Sequence, residues 1–216
     1  MTPDAEQLDV DVGDGLHLHV TRSGFGPPLV VLHGFTGSSE TWMPLRTALD
    51  DRHTIIAVDM PGHGHSSAPD DPARYALSRF SNDLARTLDM LGLERVALLG
   101  YSMGGRAALG FALAHPSRIA ALVLESTLPG IADSAERAAR VAADHDLADS
   151  IVRDGIAAFV DRWERLPLWA SQATLPEDTR TRLRAQRLAN RPDGLANSLR
   201  GAGAGANQAA TDRLAE

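Results

Sequence analysis

The chain has 216 residues, a formal net charge of −7 at pH 7, 44% hydrophobic and 23% charged residues, a composition that suits one globular domain, or one with a small insertion, and excludes a fully disordered chain. It has no cysteine, and all 21 basic residues are arginine, which rules out disulfide scaffolds, thiol nucleophiles, thiolate zinc sites, lysine Schiff bases and Walker-type phosphate loops. With no basic run, no apolar stretch long enough for a bilayer and an acidic, polar N-terminus unlike a signal peptide, the expected setting is the cytoplasm, without nucleic-acid partners or a membrane span.

Residues 8–12 and 16–20 alternate apolar and polar side chains around Gly13-Asp14-Gly15. This predicts a β-hairpin whose turn takes positive φ, with His17 and His19 on the surface. Residues 28–32 and 54–58 are short continuous apolar runs, expected for strands covered on both faces of a parallel sheet. A helix is predicted between them over 39–49, capped by Ser38 or Ser39. Leu77, Phe80, Leu84, Leu88 and Leu91 recur at helical spacing, so 77–91 reads as an amphipathic helix stopped by Gly92. Residues 96–99 form a further strand, 105–114 a helix of small residues, and 119–124 another strand. The alternation implies a parallel α/β sheet with right-handed crossovers. Residues 133–199 have helical periodicity and no strand candidate. Gly201-Ala202-Gly203-Ala204-Gly205 follows no strand, so it reads as a flexible linker and not as a dinucleotide loop, and 212–216 as one more helical turn.

Gly100-Tyr101-Ser102-Met103-Gly104 lies between a predicted strand and a predicted helix. Small flanking residues let such a turn close sharply, so Ser102 projects as a nucleophile at the carboxyl end of the sheet, in front of a helix N-terminus. His33-Gly34-Phe35-Thr36-Gly37 follows the earlier buried strand. It reads as an oxyanion loop in which the Phe35 and Met103 N–H groups converge on one oxygen. His63 and His65 lack further ligands at metal spacing, so no metal is expected and His63 is assigned to loop hydrogen bonds. His115 reads as a helix cap and His145 as solvated.

Leu32-His33-Gly34-Phe35, Asp59-Met60-Pro61-Gly62-His63-Gly64 and Gly100-Tyr101-Ser102-Met103-Gly104-Gly105 resemble the α/β-hydrolase superfamily. Glu125-Ser126-Thr127-Leu128-Pro129-Gly130-Ile131 and Trp163-Glu164-Arg165-Leu166-Pro167-Leu168 further resemble the menaquinone-pathway 2-succinyl-6-hydroxy-2,4-cyclohexadiene-1-carboxylate synthases. The resemblance implies a mostly parallel sheet flanked by helices, with core 1–129, helical cap 130–200, and 201–216 returning toward a C-terminal core. It also implies a lyase that removes a proton from a polycarboxylate cyclohexene and expels pyruvate without a cofactor. Ser102, activated by a histidine, would be the base, the Phe35 and Met103 amides the oxyanion donors, and Tyr101, Arg106, Arg140, Trp163 and Arg187 the substrate-binding residues. Arg137 is a neighbouring alternative to Arg140, and a solvated helix face is the plain reading of each arginine taken alone. The alternatives are a general carboxylic-ester hydrolase and a catalytically silent binding protein.

A hydrolase triad continues from the serine to an acid and then a histidine. After Ser102 the sequence offers only His115, at the far end of the helix that starts at the elbow, and His145 in the cap; Asp193 and Asp212 also fall on cap or tail. The expectation is therefore a chain truncated at the C-terminus, with turnover lowered by several orders of magnitude and with residues 119–124 left as a bare sheet edge prone to self-association.

Overall fold

Apolar side chains cover both faces of the central strands in the computed structural model, which describes residues 5–206, 210, 213 and 214. Six strands, β1 (Glu6–Gly13), β2 (Leu16–Gly24), β3 (Pro28–Leu32), β4 (Thr54–Val58), β5 (Val96–Tyr101) and β6 (Ile119–Glu125), form one sheet in the order β1-β2-β4-β3-β5-β6. The β1–β2 and β2–β4 pairs are antiparallel, and β4, β3, β5 and β6 run parallel. The hairpin turn has positive φ at Gly13, Asp14 and Gly15, as the sequence predicts.

Strand periodicity sends alternate residues to opposite faces. Val30, Leu32, Ile56 and Val58 pack with Phe80, Leu84 and Leu88 of α2 (Leu77–Met90) and with Phe111 of α3 (Met103–Ala114). Leu29, Val31, Ile55 and Ala57 face the other way, onto Trp42 and α1 (Met43–Leu49). The predicted 39–49 helix starts as a 3₁₀ turn, Ser39–Trp42, with a capping box between Ser38 and Thr41. Its break into α1 falls next to Pro44, which has no N–H to continue the ladder.

The cap comprises α4 (Ser134–Trp163), a 3₁₀ run (Pro167–Thr174), α5 (Glu177–Leu188) and α6 (Pro192–Ala202). Gly155 kinks α4, at φ 80° and ψ 168°. Ile151, Phe159, Val160, Leu195 and Leu199 form the cap's own core, and the Phe35 ring joins it from the sheet side, 6.1 Å from Phe159 and 5.5 Å from Trp163. The cap seats on loops of the sheet domain through α6, where Asn197 Nδ2 donates to the Pro69 and Asp70 carbonyls.

Two expectations change and a third holds. His19 is buried, with Nδ1 at 2.9 Å from Asp9 Oδ1 and Nε2 at 2.7 Å from Gln7 Oε1, because strand pairing and the loop carrying Ser66 cover it; His17 is exposed as expected. The Gly-Ala-Gly-Ala-Gly segment is not a flexible linker: Gly201 and Ala202 finish α6, and Ala202 and Ala204 are buried. A Cβ on Gly201 would strike the Pro72 carbonyl and one on Gly203 the Asp144 carboxylate, so the glycines serve close packing. The bare edge is seen at β6, the outermost strand of the described sheet, where Val123 and Leu124 are 51% and 39% exposed. The turn expected at 212–216 falls largely outside the described residues.

Candidate active site

β5 ends and α3 begins across a single residue, Ser102, at φ 53° and ψ −111°. Such a conformation is costly for a residue with a Cβ and persists only where its surroundings enforce it. Here the Ser102 N–H donates to the Glu125 carbonyl of β6 at 2.9 Å, and its own carbonyl accepts from Arg106 N–H at 3.1 Å. A Cβ on Gly100 would meet the Gly104 carbonyl, and one on Gly104 the carbonyls of Leu32 and His33. Met103 is the first residue of α3, so its N–H lacks an intrahelical acceptor and sits at the positive end of the helix dipole.

The loop after β3 closes on this elbow. A Cβ on Gly34 would come within 2.8 Å of the Tyr101 ring and 3.4 Å of Ser102 Cβ, so only a residue without a side chain lets this loop pack against the elbow. The buried His33 fixes the loop: Nε2 accepts from Met60 N–H at 3.0 Å, which leaves the proton on Nδ1 to donate to the Gly34 carbonyl at 2.8 Å. Burial holds its pKa below the ordinary histidine value despite the Asp59 carboxylate nearby. His63 is also buried; desolvation pushes it down to about 3, and Nδ1 donates to the Pro61 carbonyl at 3.1 Å. Asp59, fully buried, accepts from Ser39 N–H at 2.5 Å and His65 N–H at 2.8 Å. Among the described residues no three His, Asp or Glu side chains gather as a metal site, and these histidines are loop braces.

A cavity of about 340 Å³ opens beside the elbow, lined in part by Gly34, Phe35, Tyr101, Glu125, Trp169 and Arg187. Arg187 is buried there: its guanidinium donates to Glu164 Oε1 and Gln172 Oε1, each at 2.9 Å, and lies 5.1 Å over the Trp169 ring. Trp163 stands behind, 5.5 Å from Phe35 and 5.8 Å from Trp169. Tyr101, Trp163 and Arg187 therefore come together. Arg106 and Arg140 form a separate group. Arg106 donates to the Ala202 carbonyl at 3.0 Å, lines a groove between α2 and α3, and is pushed down to about 10 by burial and by nearby Arg140. Arg140 pairs with Asp144 at 2.8 Å; Arg137 donates to the Ile131 carbonyl at 3.1 Å.

Residues outside the predicted set complete the site. Asn190 is buried, donates to the Thr36 carbonyl at 3.0 Å and accepts from Gly64 N–H at 3.2 Å, tying the turn after α5 to both core loops. The Gln186 carboxamide lies 2.8 Å from Ser38 Oγ and from Thr41 Oγ1. Among the described residues no side chain hydrogen-bonds to Ser102 Oγ. His115 closes the far end of α3 with its ring 4.8 Å from Phe111, and His145 is exposed on α4.

A strained serine between a parallel strand and a helix, an amide-bearing loop from the neighbouring strand and a helical cap define the α/β-hydrolase class. A family model described as "alpha/beta hydrolase fold" matches residues 27–201, and the chain belongs to that family. It is similar to the putative 2-succinyl-6-hydroxy-2,4-cyclohexadiene-1-carboxylate synthase of Bacillus subtilis (strain 168), at 46% identity over 211 residues that cover 97% of this chain and 77% of that relative. It is also similar to the structure of MenH from S. aureus, with a TM-score of 0.83 and 33% identity across 98% of this chain and 75% of that one. A thermophilic esterase from Thermogutta terrifontis, solved with malate bound, superposes with a TM-score of 0.83 at 26% identity, covering 97% of this chain and 76% of that one.

Proposed function

We propose that this enzyme is a lyase of the kind named for its B. subtilis relative, acting on a polycarboxylate cyclohexene and releasing pyruvate. The observation that carries the reading is the buried Arg187 guanidinium in the cavity beside the elbow. A guanidinium fork matches a carboxylate geometrically, whereas a neutral ester has no use for a buried cation.

In this reading Arg187 anchors a substrate carboxylate, and Tyr101 and Trp163 shape the pocket. Ser102 passes its hydroxyl proton to solvent, and its oxygen then takes the ring proton. The C–H electron pair becomes a ring double bond and the C–O bond to the leaving group breaks. The departing enolate takes up a proton and leaves as pyruvate. The Phe35 and Met103 amides stabilise the oxyanion that develops on the substrate. Arg106 and Arg140 act as a second carboxylate anchor when the substrate displaces the Ala202 carbonyl and the Asp144 pairing. Since no base contacts Ser102 among the described residues, turnover by the 216-residue chain is set about 10⁴-fold or more below that of a base-equipped relative. We further propose that chains associate through the exposed β6 edge.

Prolonged incubation with the cyclohexene substrate and, separately, with p-nitrophenyl esters tests the reading. The expected result is slow pyruvate release that Ser102→Ala abolishes. Ester cleavage with no pyruvate would replace the lyase with the hydrolase.

A further inference from the structure

A second concavity, of about 530 Å³ and open to solvent, lies on the surface of the cap between the end of α4, the Pro167–Thr174 run and α5. Four guanidinium side chains line it, from Arg165, Arg180, Arg184 and Arg187, against two carboxylates, Glu164 and Glu177. Glu164 is already committed: its two oxygens accept from Arg184 at 2.6 Å and Arg187 at 2.9 Å. Arg184 also holds Asp161 at 2.5 Å. Arg165 and Arg180, by contrast, have no carboxylate within 4.0 Å among the described residues, and Asp161 acts on Arg165 only at longer range. Two exposed arginines without a paired carboxylate thus line one concavity in a chain whose net charge is −7. The cavity also shares Trp169, Gln172 and Arg187 with the one beside the elbow. Arg187, stacked on Trp169, forms the wall between them.

We propose that the cap cavity is a second anion site, which takes a small di- or tricarboxylate between Arg165 and Arg180 and passes it across Arg187 to the elbow cavity. Local cations offset the long-range repulsion that an acidic protein exerts on an anionic ligand. Arginine forks engage carboxylates in pairs, so a ligand with two or three carboxylates spans Arg165 and Arg180 at once. The transfer step rests on the lyase reading; the binding step does not.

Calorimetric titration of the full chain with citrate is the test, with melting curves as a control for folding. The wild-type chain binds citrate saturably, and more weakly as salt is added. The double variant R165Q/R180Q weakens this binding about tenfold or more, the usual scale for losing hydrogen bonds to charged groups. R165K/R180K, which keeps the charge and loses the fork, falls between the two. In pyruvate release, R165Q/R180Q raises KM and leaves kcat unchanged. No saturable citrate binding by the wild-type chain, or equal binding by all three proteins, overturns the site. Ester cleavage without pyruvate, with citrate binding still dependent on Arg165 and Arg180, overturns the lyase reading alone.

Discussion

The half of the site that rides on the sheet and the half that rides on the cap hold their residues by different means. On the sheet side the constraint is backbone: Ser102 is fixed between β5 and α3 by main-chain hydrogen bonds and by glycines that admit no side chain. On the cap side it is side chain to side chain: Arg187 depends on Glu164, Gln172 and Trp169, and α5 and the turn after it reach the core through Gln186 and Asn190. Backbone constraints act within a few residues and leave little freedom. Side-chain networks join elements distant in sequence, and each link is worth about 1 kcal/mol. The Phe35 residue belongs to both halves, with its backbone in the loop packed against the elbow and its ring in the cap core.

The largest expected effect strikes the sheet side. His33 and His63 are neutral and buried, with folded pKa values below the ordinary 6.5. The unfolded chain therefore binds more protons, so stability is complete above about pH 6.5 and falls as pH drops toward 3. His63, pushed down to about 3, contributes about 3 kcal/mol between pH 7 and pH 4.5, and the lowered pKa of His33 acts in the same direction. That window lies above the ordinary carboxylate range. Urea unfolding at pH 7, 6, 5 and 4.5 measures it, and His63→Gln should flatten the slope; an equal slope in both proteins would assign the effect elsewhere.

Next comes the seat of the cap. Gly201→Val forces a side chain against the Pro72 carbonyl and Tyr75 Cβ and should cost about 2–3 kcal/mol, the scale of overpacking. Limited proteolysis should then cut the cap before the sheet domain, and simultaneous cutting would show that the two unfold as one unit. Asn190→Ala removes the links to Thr36 and Gly64 and should cost about 1–2 kcal/mol by thermal unfolding. A loss below about 0.3 kcal/mol would make the network idle. The smallest change in stability, within about 0.5 kcal/mol, is expected for Val123→Lys on the exposed edge. Its readout is mass by light scattering, which should fall toward that of the monomer; an unchanged mass would remove β6 as the association edge.

Much of this was legible in the sequence. The apolar runs 28–32 and 54–58 became β3 and β4 at the predicted bounds, because a strand covered on both faces needs apolar side chains on each. The elbow was legible because its glycines are a steric requirement of the turn itself. His19 and the Gly201–Gly205 segment misled because burial is a property of the partner surface: a strand histidine is covered by a loop that starts some forty residues later, and an alanine-glycine run that suits a linker also suits tight packing. Asn190 carried no signal, since a polar residue in the turn after a helix looks like any other until the facing loop is known.

The sequence by itself determined the α/β alternation, the sharp turn at Ser102 and the glycine-bearing loop packed against it, because each follows from periodicity or sterics within a few residues. Only the tertiary structure decided how the arginines divide. Arg187 enters the elbow cavity, Arg106 and Arg140 meet at Asp144, and Arg165 and Arg180 line the cap. The reason is that a guanidinium on a long, flexible side chain settles where distant helices bring carboxylates, carbonyls and aromatic faces, and spacing along the chain does not encode those crossings.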